Sequence, residues 1–292
     1  MKTTNKVKEK LEDGEVVIGA TTVANHPTEI ELLGGVGFDF VWLDTEHVNG
    51  SPYDSDLLEH KARAADCADT EILIRVPTTD PVMIRKILDT GIRNITLPRV
   101  QTAEEVAEVA RAASFKYVEE LDWDHGGAVT PPDRGTRGAS HARVTEFGAR
   151  EGSVALESDE NVMLGVVIED YEAIPNIDEI LSVPGVGYTI FGPYCMSISI
   201  GKPGEYDHPK IQDARETFVE AATKHDVPIL QSVAGMEPEG GGDVDYGELE
   251  TAKEYIDRGK PYQMFRVQSG SGLVRRGTGE QLATLQAHLE ET

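Results

Sequence analysis

The sequence predicts an α/β protein and, within that class, a closed (β/α)₈ TIM barrel. Short apolar runs alternate with longer helical patterns along the whole chain. The runs are almost continuously apolar, which is typical of parallel strands that helices cover on both faces. The length of 292 residues suits one such barrel, which takes about 250 residues before insertions. No Gly-x-Gly-x-x-Gly follows the first predicted strand, so a dinucleotide-binding fold is not favoured.

Eight segments have the composition of good strands, and they are residues 15–22, 38–44, 71–77, 94–100, 162–169, 187–193, 227–234 and 262–268. A ninth, shorter candidate lies near Ser114–Tyr117, so one of these segments must be something else. Residues 1–292 are interpreted as one barrel domain with an extended loop region at about 115–160, where glycine, proline and charged residues are frequent.

Helices are predicted between the strands. Pro27 suits the first turn of one helix, and Asp54 or Ser55 is expected to cap the next. Thr102 is expected to cap a third helix, because acidic residues fill the turn that follows it.

Acidic residues dominate the charge: 52 Asp and Glu face 27 Lys and Arg, for a net charge of -25. Such a surface repels phosphate backbones and anionic membranes, so neither nucleic acid nor a membrane is an expected partner. The acids are spread along the whole chain, which favours an acidic coat over an acidic tail. A coat of this kind suits the high-salt cytoplasm of a halophile, where ions screen the repulsion.

A cytoplasmic location is expected. The two cysteines, Cys67 and Cys195, form no disulfide framework. Residues 1–17 lack the apolar stretch of a signal peptide, and no segment approaches the roughly 18 apolar residues of a membrane span. Cys67 lies in a helical pattern and is expected to be packed rather than reactive.

Ionisable residues follow several predicted strands. The run FDFVWLD leads directly into Asp44, Glu46 and His47, while Arg75 and Glu169 stand at two other strand ends. Because the active site of a barrel lies at the C-terminal ends of its strands, we expect these side chains to converge. Each of these residues alone commonly has only a structural role, and their joint appearance at several strand ends favours a functional site.

The residue types indicate chemistry. His47 can exchange a proton near neutral pH, and Asp44 is placed to orient its imidazole. Arg75 offers a planar fork that matches a carboxylate. Glu169 is a hard oxygen ligand for a divalent cation.

Five blocks occur in the order GFDFVWLDTEH, IRVP with ILDTGIRNITLPRVQTAEEV, PPDRGTRG, VMLGVVIE with IPNIDEIL, and IFGPYCMSISIGKPG. On these blocks, which span about residues 15–235, the chain resembles the HpcH/HpaI aldolase family of metal-dependent class II pyruvate aldolases. The block PPDRGTRG points to the aldolase branch more than to the acyl-CoA lyase branch.

The resemblance implies a barrel of the phosphoenolpyruvate/pyruvate superfamily type, a C-terminal helix swapped between subunits, and a homo-oligomer, either hexamer or trimer. It implies pyruvate and an aldehyde as small-molecule partners, and Mg²⁺, Mn²⁺ or Co²⁺ as the cofactor that stabilises the pyruvate enolate. Carried over by residue, it assigns the base to His47 with Asp44 as its orienter, the enolate contact to Arg75, a metal ligand to Glu169, and the pyruvate carboxylate cradle to the backbone of Gly192 and Pro193.

The chain departs from the family pattern at several positions. Cys195 stands where the family has its aspartate ligand, and thiolate is a softer ligand that suits Zn²⁺. Val167 replaces a frequent glutamine, and the bulk of Tyr194 is expected to narrow the pocket. Residues 115–131 form a longer connection than usual, which is interpreted as a lid or an oligomer contact.

Three functions remain open. The leading one is a carbon–carbon lyase that cleaves or forms a 4-hydroxy-2-oxo acid. The second is a catalytically impaired paralogue that binds a keto acid or is structural, and the third is a malyl-CoA-type acyl-CoA lyase. The remaining histidines are read as surface or structural, His125 least safely, and they are His26, His60, His125, His141, His208, His225 and His288.

Overall fold

Eight parallel strands form a barrel in the computed structural model, which describes residues 4–22, 24–48, 50–115, 121–122, 127–128, 135–138, 141–149, 154–233 and 255–267. The strands are β1 (Val17–Thr21), β2 (Phe40–Asp44), β3 (Glu71–Arg75), β4 (Asn94–Leu97), β5 (Met163–Ile168), β6 (Val186–Phe191), β7 (Leu230–Val233) and β8 (Met264–Val267). They pair in the order β6-β5-β4-β3-β2-β1-β8-β7. A bridge between Thr189 and Ile229 joins the two ends of this order, so the predicted (β/α)₈ barrel is confirmed.

Helices cover the outside of the sheet, as a parallel barrel requires. The α-helices are α1 (Lys6–Glu12), α2 (Pro27–Val36), α3 (Ser55–Cys67), α4 (Pro81–Asp89), α5 (Ala103–Ala113), α6 (Val154–Asn161), α7 (Ile177–Leu181), α8 (Pro193–Ser199) and α9 (Pro209–Lys224), with 3₁₀ segments at Arg143–Gly148 and Tyr171–Asn176. Within the described residues, none of these helices combines the length and the apolar character needed to cross a bilayer.

Local sequence signals set several helix boundaries as predicted. Pro27 occupies the first turn of α2, and the Asp54 side chain caps α3 by accepting the Leu57 N–H. Thr102 and Glu105 form a reciprocal capping box at the start of α5.

The described part of the ninth strand candidate near Ser114–Tyr117, residues 114 and 115, does not pair with a barrel strand. Phe115 makes a single isolated bridge with Arg137, and its N–H donates to the Asp159 carboxylate. Because the Asp159 carboxylate accepts the Phe115 N–H, this N–H is not available for pairing with a barrel strand.

Helix α1, which was not predicted, closes the N-terminal end of the barrel. Val7 and Leu11 are buried in a cluster with Phe40 of β2 and other barrel residues. Asn5 caps the helix, and its Nδ2 donates to Asn94 Oδ1 at 2.7 Å inside the barrel. With this end filled, the opposite end, at the C-termini of the strands, is left for ligands.

Glycines make room for large rings in the barrel interior. A Cβ on Gly19 would lie 2.3 Å from the Phe40 ring, and one on Gly165 would lie 2.1 Å from the Tyr188 ring. The Tyr188 hydroxyl is hydrogen-bonded to Thr96 Oγ1 at 2.5 Å. The ring positions therefore depend on the absence of side chains beside them.

Other expectations fall partly or wholly outside the described residues. They concern the swapped C-terminal helix, most of the connection at 115–131, parts of the loop region at 115–160, and the side chains of His125 and His288. Cys67 is described, and it is exposed at the end of α3. The expectation that it is packed was wrong, because it lies on the solvent side of the helix.

We expect Gly165→Ala to lower the free energy of unfolding by about 1–3 kcal/mol, the usual result of overpacking a filled core. The added methyl group would meet the Tyr188 ring, which the hydrogen bond to Thr96 holds in place. Urea titration followed by circular dichroism measures the change.

The control is Gly35→Ala on α2, where nothing lies within 4 Å of the new atom. It should stabilise the helix by up to about 1 kcal/mol. Equal stability of the Gly165→Ala and parent proteins would contradict the packing described.

Candidate active site

The predicted strand-end residues meet at the open end of the barrel. Asp44 is the last residue of β2 and Arg75 the last of β3, while Glu169 directly follows β5. Asp44 and Arg75 are register partners on adjacent strands. The closed barrel then brings Glu169 around the same rim.

Asp44 and Arg75 form a two-pronged ion pair. Arg75 Nε donates to Asp44 Oδ1 at 3.2 Å and Nη2 donates to Oδ2 at 2.5 Å. Burial would raise the pKa of Asp44, but the hydrogen bonds and positive charge of Arg75 outweigh it and hold the pKa below its usual value. Asp44 is therefore ionised across the physiological range.

The same carboxylate shapes the turn that carries His47. Asp44 Oδ1 accepts the backbone N–H groups of Glu46 at 2.9 Å and His47 at 3.2 Å. Asn25 Nδ2 donates to the Asp44 carbonyl oxygen at 2.7 Å from the other side. An Asp that accepts nearby backbone N–H groups stabilises a tight turn, so Asp44 positions the main chain of His47.

The His47 ring itself lies beside Glu46. Its Nε2 is 3.5 Å from Glu46 Oε2, and its side chain is 62% exposed. Asp44 was expected to orient this ring, but its described contacts are with Arg75 and with backbone N–H groups. Glu46 is the carboxylate next to the imidazole.

Glu46 is a site residue for which sequence analysis predicted no role. Its Oε2 is buried and accepts no hydrogen bond, although it lies 3.3 Å from Arg75 Nε. Burial raises the pKa of Glu46 against the opposing charges of Arg75 and His47, with Glu169 and Asp44 adding to the rise. The sequence signal that could have indicated a role for Glu46 was its position between Asp44 and His47, directly after an apolar strand.

Glu169 is held at the base of the rim by close backbone contacts. Its Oε1 accepts the N–H of Arg99 at 3.0 Å, and Arg99 adopts a left-handed conformation with φ 52°. Gly192 packs so closely that a Cβ there would lie 2.6 Å from Glu169 Cβ. A glycine is therefore required at the end of β6 for Glu169 to take this position.

Cys195 lies in the first turn of α8, which begins at Pro193. Its thiol lies close to Glu169, and burial together with that negative neighbour raises the pKa of Cys195 to about 12. The free site therefore holds a protonated thiol at neutral pH. The adjacent Tyr194, which was expected to narrow the pocket, is 58% exposed.

The side chains available as ligands indicate which of the metal ions expected from the sequence the site could hold. Among the described residues, no group of three or more His, Cys, Asp or Glu side chains is arranged to hold an ion. Glu169 and Cys195 are close enough for the carboxylate to raise the pKa of the thiol, which gives one oxygen and one sulfur donor. A pair of this kind fits a sulfur-binding divalent cation better than Mg²⁺, provided that small ligands complete its coordination.

Comparisons with known proteins identify relatives of this chain. The profile of the family described as HpcH/HpaI aldolase/citrate lyase matches residues 22–249. The 5-keto-4-deoxy-D-glucarate aldolase of Escherichia coli K12 is 32% identical over 224 residues, covering 77% of this chain and 80% of that protein. An HpcH/HpaI aldolase from Desulfitobacterium hafniense DCB-2 has a TM-score of 0.77 and 25% identity, with 96% of each chain covered. Citrate synthase SbnG, at TM-score 0.75 and 24% identity over 98% of this chain and 100% of that one, shows the shared fold alone.

We expect Cys195 to react slowly with iodoacetamide near neutral pH, because only the thiolate is nucleophilic. In a Cys67→Ser protein it is the sole thiol, so mass spectrometry reports its alkylation directly. The rate should rise about tenfold with each pH unit and show no plateau in the ordinary thiol range of about 8–9. Glu169→Gln should speed the reaction, because it removes the charge that disfavours the thiolate. A plateau at an ordinary thiol pKa would contradict the contact with Glu169.

Proposed function

The chain belongs to the HpcH/HpaI aldolase/citrate lyase family, and from this premise we propose that it is an aldolase, a carbon–carbon lyase. It cleaves or forms a 4-hydroxy-2-oxo acid, with pyruvate and an aldehyde as the small partners. The observation that carries the proposal is the Asp44–Arg75 ion pair, with Glu46, His47 and Glu169 around it at one barrel end.

Arg75 binds the developing oxyanion. When the bond between C3 and C4 of the oxo acid breaks, its electron pair moves onto the keto oxygen. A guanidinium that Asp44 already fixes in place can donate to that oxygen without reorganising, which is how preorganised donors lower a barrier. Burial would lower the pKa of Arg75, but Asp44 and the neighbouring carboxylates raise it. The group therefore keeps its charge.

His47 moves the proton. In the cleavage direction it takes the proton from the C4 hydroxyl as the aldehyde forms, and a proton then returns to C3 to give pyruvate. Its ring is exposed, and Glu46 Oε2 stands 3.5 Å from Nε2. That carboxylate stabilises the imidazolium while it holds the proton.

Glu169 and Cys195 would hold a divalent cation, on which aldolases of this family generally depend. When bound, the cation supplies Lewis-acid stabilisation of negative charge on the substrate oxygens. Cys195 would stand in the place of the family's aspartate ligand. The backbone of Gly192 and Pro193 lies next to Glu169, where it would support the pyruvate carboxylate.

A catalytically impaired keto-acid-binding protein is the second candidate. The observation in its favour is the Cys195 thiol itself, whose pKa burial and Glu169 raise to about 12, so that it is protonated at neutral pH and a weaker ligand than a carboxylate. Elemental analysis of the purified protein separates the two proposals. Metal-free protein that binds pyruvate but releases none from any 4-hydroxy-2-oxo acid would favour the second.

We expect pyruvate release from a 4-hydroxy-2-oxo acid, measured with a coupled dehydrogenase assay in high salt with added Mn²⁺, Co²⁺ or Zn²⁺. His47→Asn should lower kcat/KM by at least about 100-fold, because general acid–base groups contribute that much. The matched control is His60→Asn, an exposed histidine on α3, which should leave the rate unchanged. Absence of pyruvate with every metal and several substrates would overturn the proposal.

We expect Cys195→Asp to shift metal preference from Zn²⁺ and Co²⁺ towards Mg²⁺ and Mn²⁺, because carboxylate is a harder ligand than thiolate. Titration with Co²⁺ should give a sulfur-to-cobalt charge-transfer band in the parent protein that the variant lacks. Isothermal calorimetry should show that Mg²⁺ binds the Cys195→Asp variant more tightly than it binds the parent protein. If the parent protein showed no sulfur band and bound Mg²⁺ as tightly as the variant, Cys195 would not be a ligand.

A further inference from the structure

Lys61 is a lysine that the protein encloses. It lies in the middle of α3, on the face that also buries Leu58 and Ala65, and only 1% of it is exposed. Every other lysine in the described residues is at least partly exposed. A lysine is almost never fully buried unless it has a partner of opposite charge, so the surroundings of this ammonium need an explanation.

The ammonium of Lys61 has no such partner. Within the described ranges of the chain, Nζ makes neither an ion pair nor a hydrogen bond, and the one carboxylate that acts on it does so from a distance. That carboxylate belongs to Asp54, and it is engaged as the cap of α3, where it accepts the Leu57 N–H at 3.1 Å. An isolated buried charge is costly, so the ammonium must either lose its proton or take an anion.

Other buried cations of this protein do have counter-ions. Arg93 pairs with Glu71 at 3.0 Å and Arg137 pairs with Asp89 at 2.9 Å. The fold thus supplies a carboxylate wherever it buries these guanidinium groups. Lys61 is the exception, and the missing charge is one negative unit.

A space lies beside the ammonium, between two loops. A Cβ built on Gly50 would lie 3.6 Å from Lys61 Nζ and 3.7 Å from Asn25 Nδ2, and no atom outside the adjacent residues would lie nearer. Asn25 belongs to the loop between β1 and α2, and Gly50 to the loop between β2 and α3. Gly50 is exposed, so the space beside Nζ opens towards solvent.

The character of this space favours a small anion. Its two nearest polar atoms outside the Gly50 segment are both nitrogen donors, and Asn25 Nδ2 already directs one N–H to the Asp44 carbonyl oxygen. A lysine ammonium carries three donors and no acceptor. Burial lowers the pKa of Lys61 against the opposing charge of Asp54, and a bound anion would favour the charged form again. The slight exposure of Lys61 suits a single atom better than a carboxylate.

We propose that Lys61 is the centre of a binding site for a monovalent, single-atom anion such as chloride, between the β1–α2 and β2–α3 loops. The anion supplies the missing counter-charge. It also joins the loop that carries His47 to the loop of Asn25, which holds the Asp44 carbonyl oxygen. The site uses none of the residues assigned to the reaction, so it does not depend on the proposed function.

Bromide is the probe for the position of the anion, because its anomalous scattering identifies it in a crystal. Crystals of the full-length parent protein grown in sodium bromide should show an anomalous peak at hydrogen-bonding distance from Lys61 Nζ. Crystals of Lys61→Met should lack this peak. Those of Lys86→Met, which changes an exposed lysine on α4, should keep it. A parent protein with bromide elsewhere but none beside Lys61 would overturn the proposal.

Thermal unfolding tests the same site in solution. The midpoint of the parent protein should be about 5 °C higher in sodium chloride than in sodium gluconate of equal ionic strength, once chloride exceeds its dissociation constant about 100-fold. Lys86→Met should show the same difference, which accounts for general salt effects, and Lys61→Met should show none. A chloride-specific difference that survives in Lys61→Met would refute the assignment.

Lys61→Met should itself fold, because an apolar side chain of similar length replaces a buried charge that has no partner. In gluconate it should unfold at a higher temperature than the parent protein, and chloride should narrow that gap. If Lys61→Met does not fold, the bromide position in the parent crystals decides the question alone.

Discussion

The ion pair between Asp44 and Arg75 is the interaction on which the candidate site depends. It joins the ends of two adjacent strands, and the same carboxylate holds the backbone of Glu46 and His47. Removing one partner from such a pair leaves a buried charge uncompensated, at a cost of about 3–5 kcal/mol. The pair therefore fixes the guanidinium and the histidine turn as one unit, and the geometry of each depends on the other.

Around this unit the barrel mouth concentrates acids. Glu46 is half-buried and Glu169 is buried, both near Arg75, and Asp170 pairs with Arg99 at 3.4 Å. Like charges at this density raise each other's pKa unless cations intervene. A divalent ion between Glu169 and Cys195 would offset part of this negative charge. The acids of the free mouth therefore lie where a bound cation would offset their charge.

Much of this was predictable from local sequence. The strand-end positions of Asp44, Arg75 and Glu169 followed from apolar runs that end in charge, and the cap at Thr102 followed from the acids after it. These signals are local because strand ends and helix caps are set by a few neighbouring residues.

Other features depend on long-range register. Helix α1 has only Val7 and Leu11 as buried apolar residues, too few to stand out against its charges. Lys61 has the residue type of an ordinary exposed helix position, and only the folded chain brings the loop of Asn25 beside it. Glu46 gained a role only once Arg75 was placed beside it.

Because α1 fills the N-terminal end, the described residues leave the barrel open at the C-terminal ends of its strands. Reactants and products must then share a single route, and the fragment bound deeper is trapped until the outer one has gone. For a cleavage in which the keto acid binds on the floor, the aldehyde leaves first and the keto acid last. Product release would therefore be ordered by the shape of the barrel. The keto acid would act as a competitive product inhibitor, because it and the incoming substrate bind the same free site.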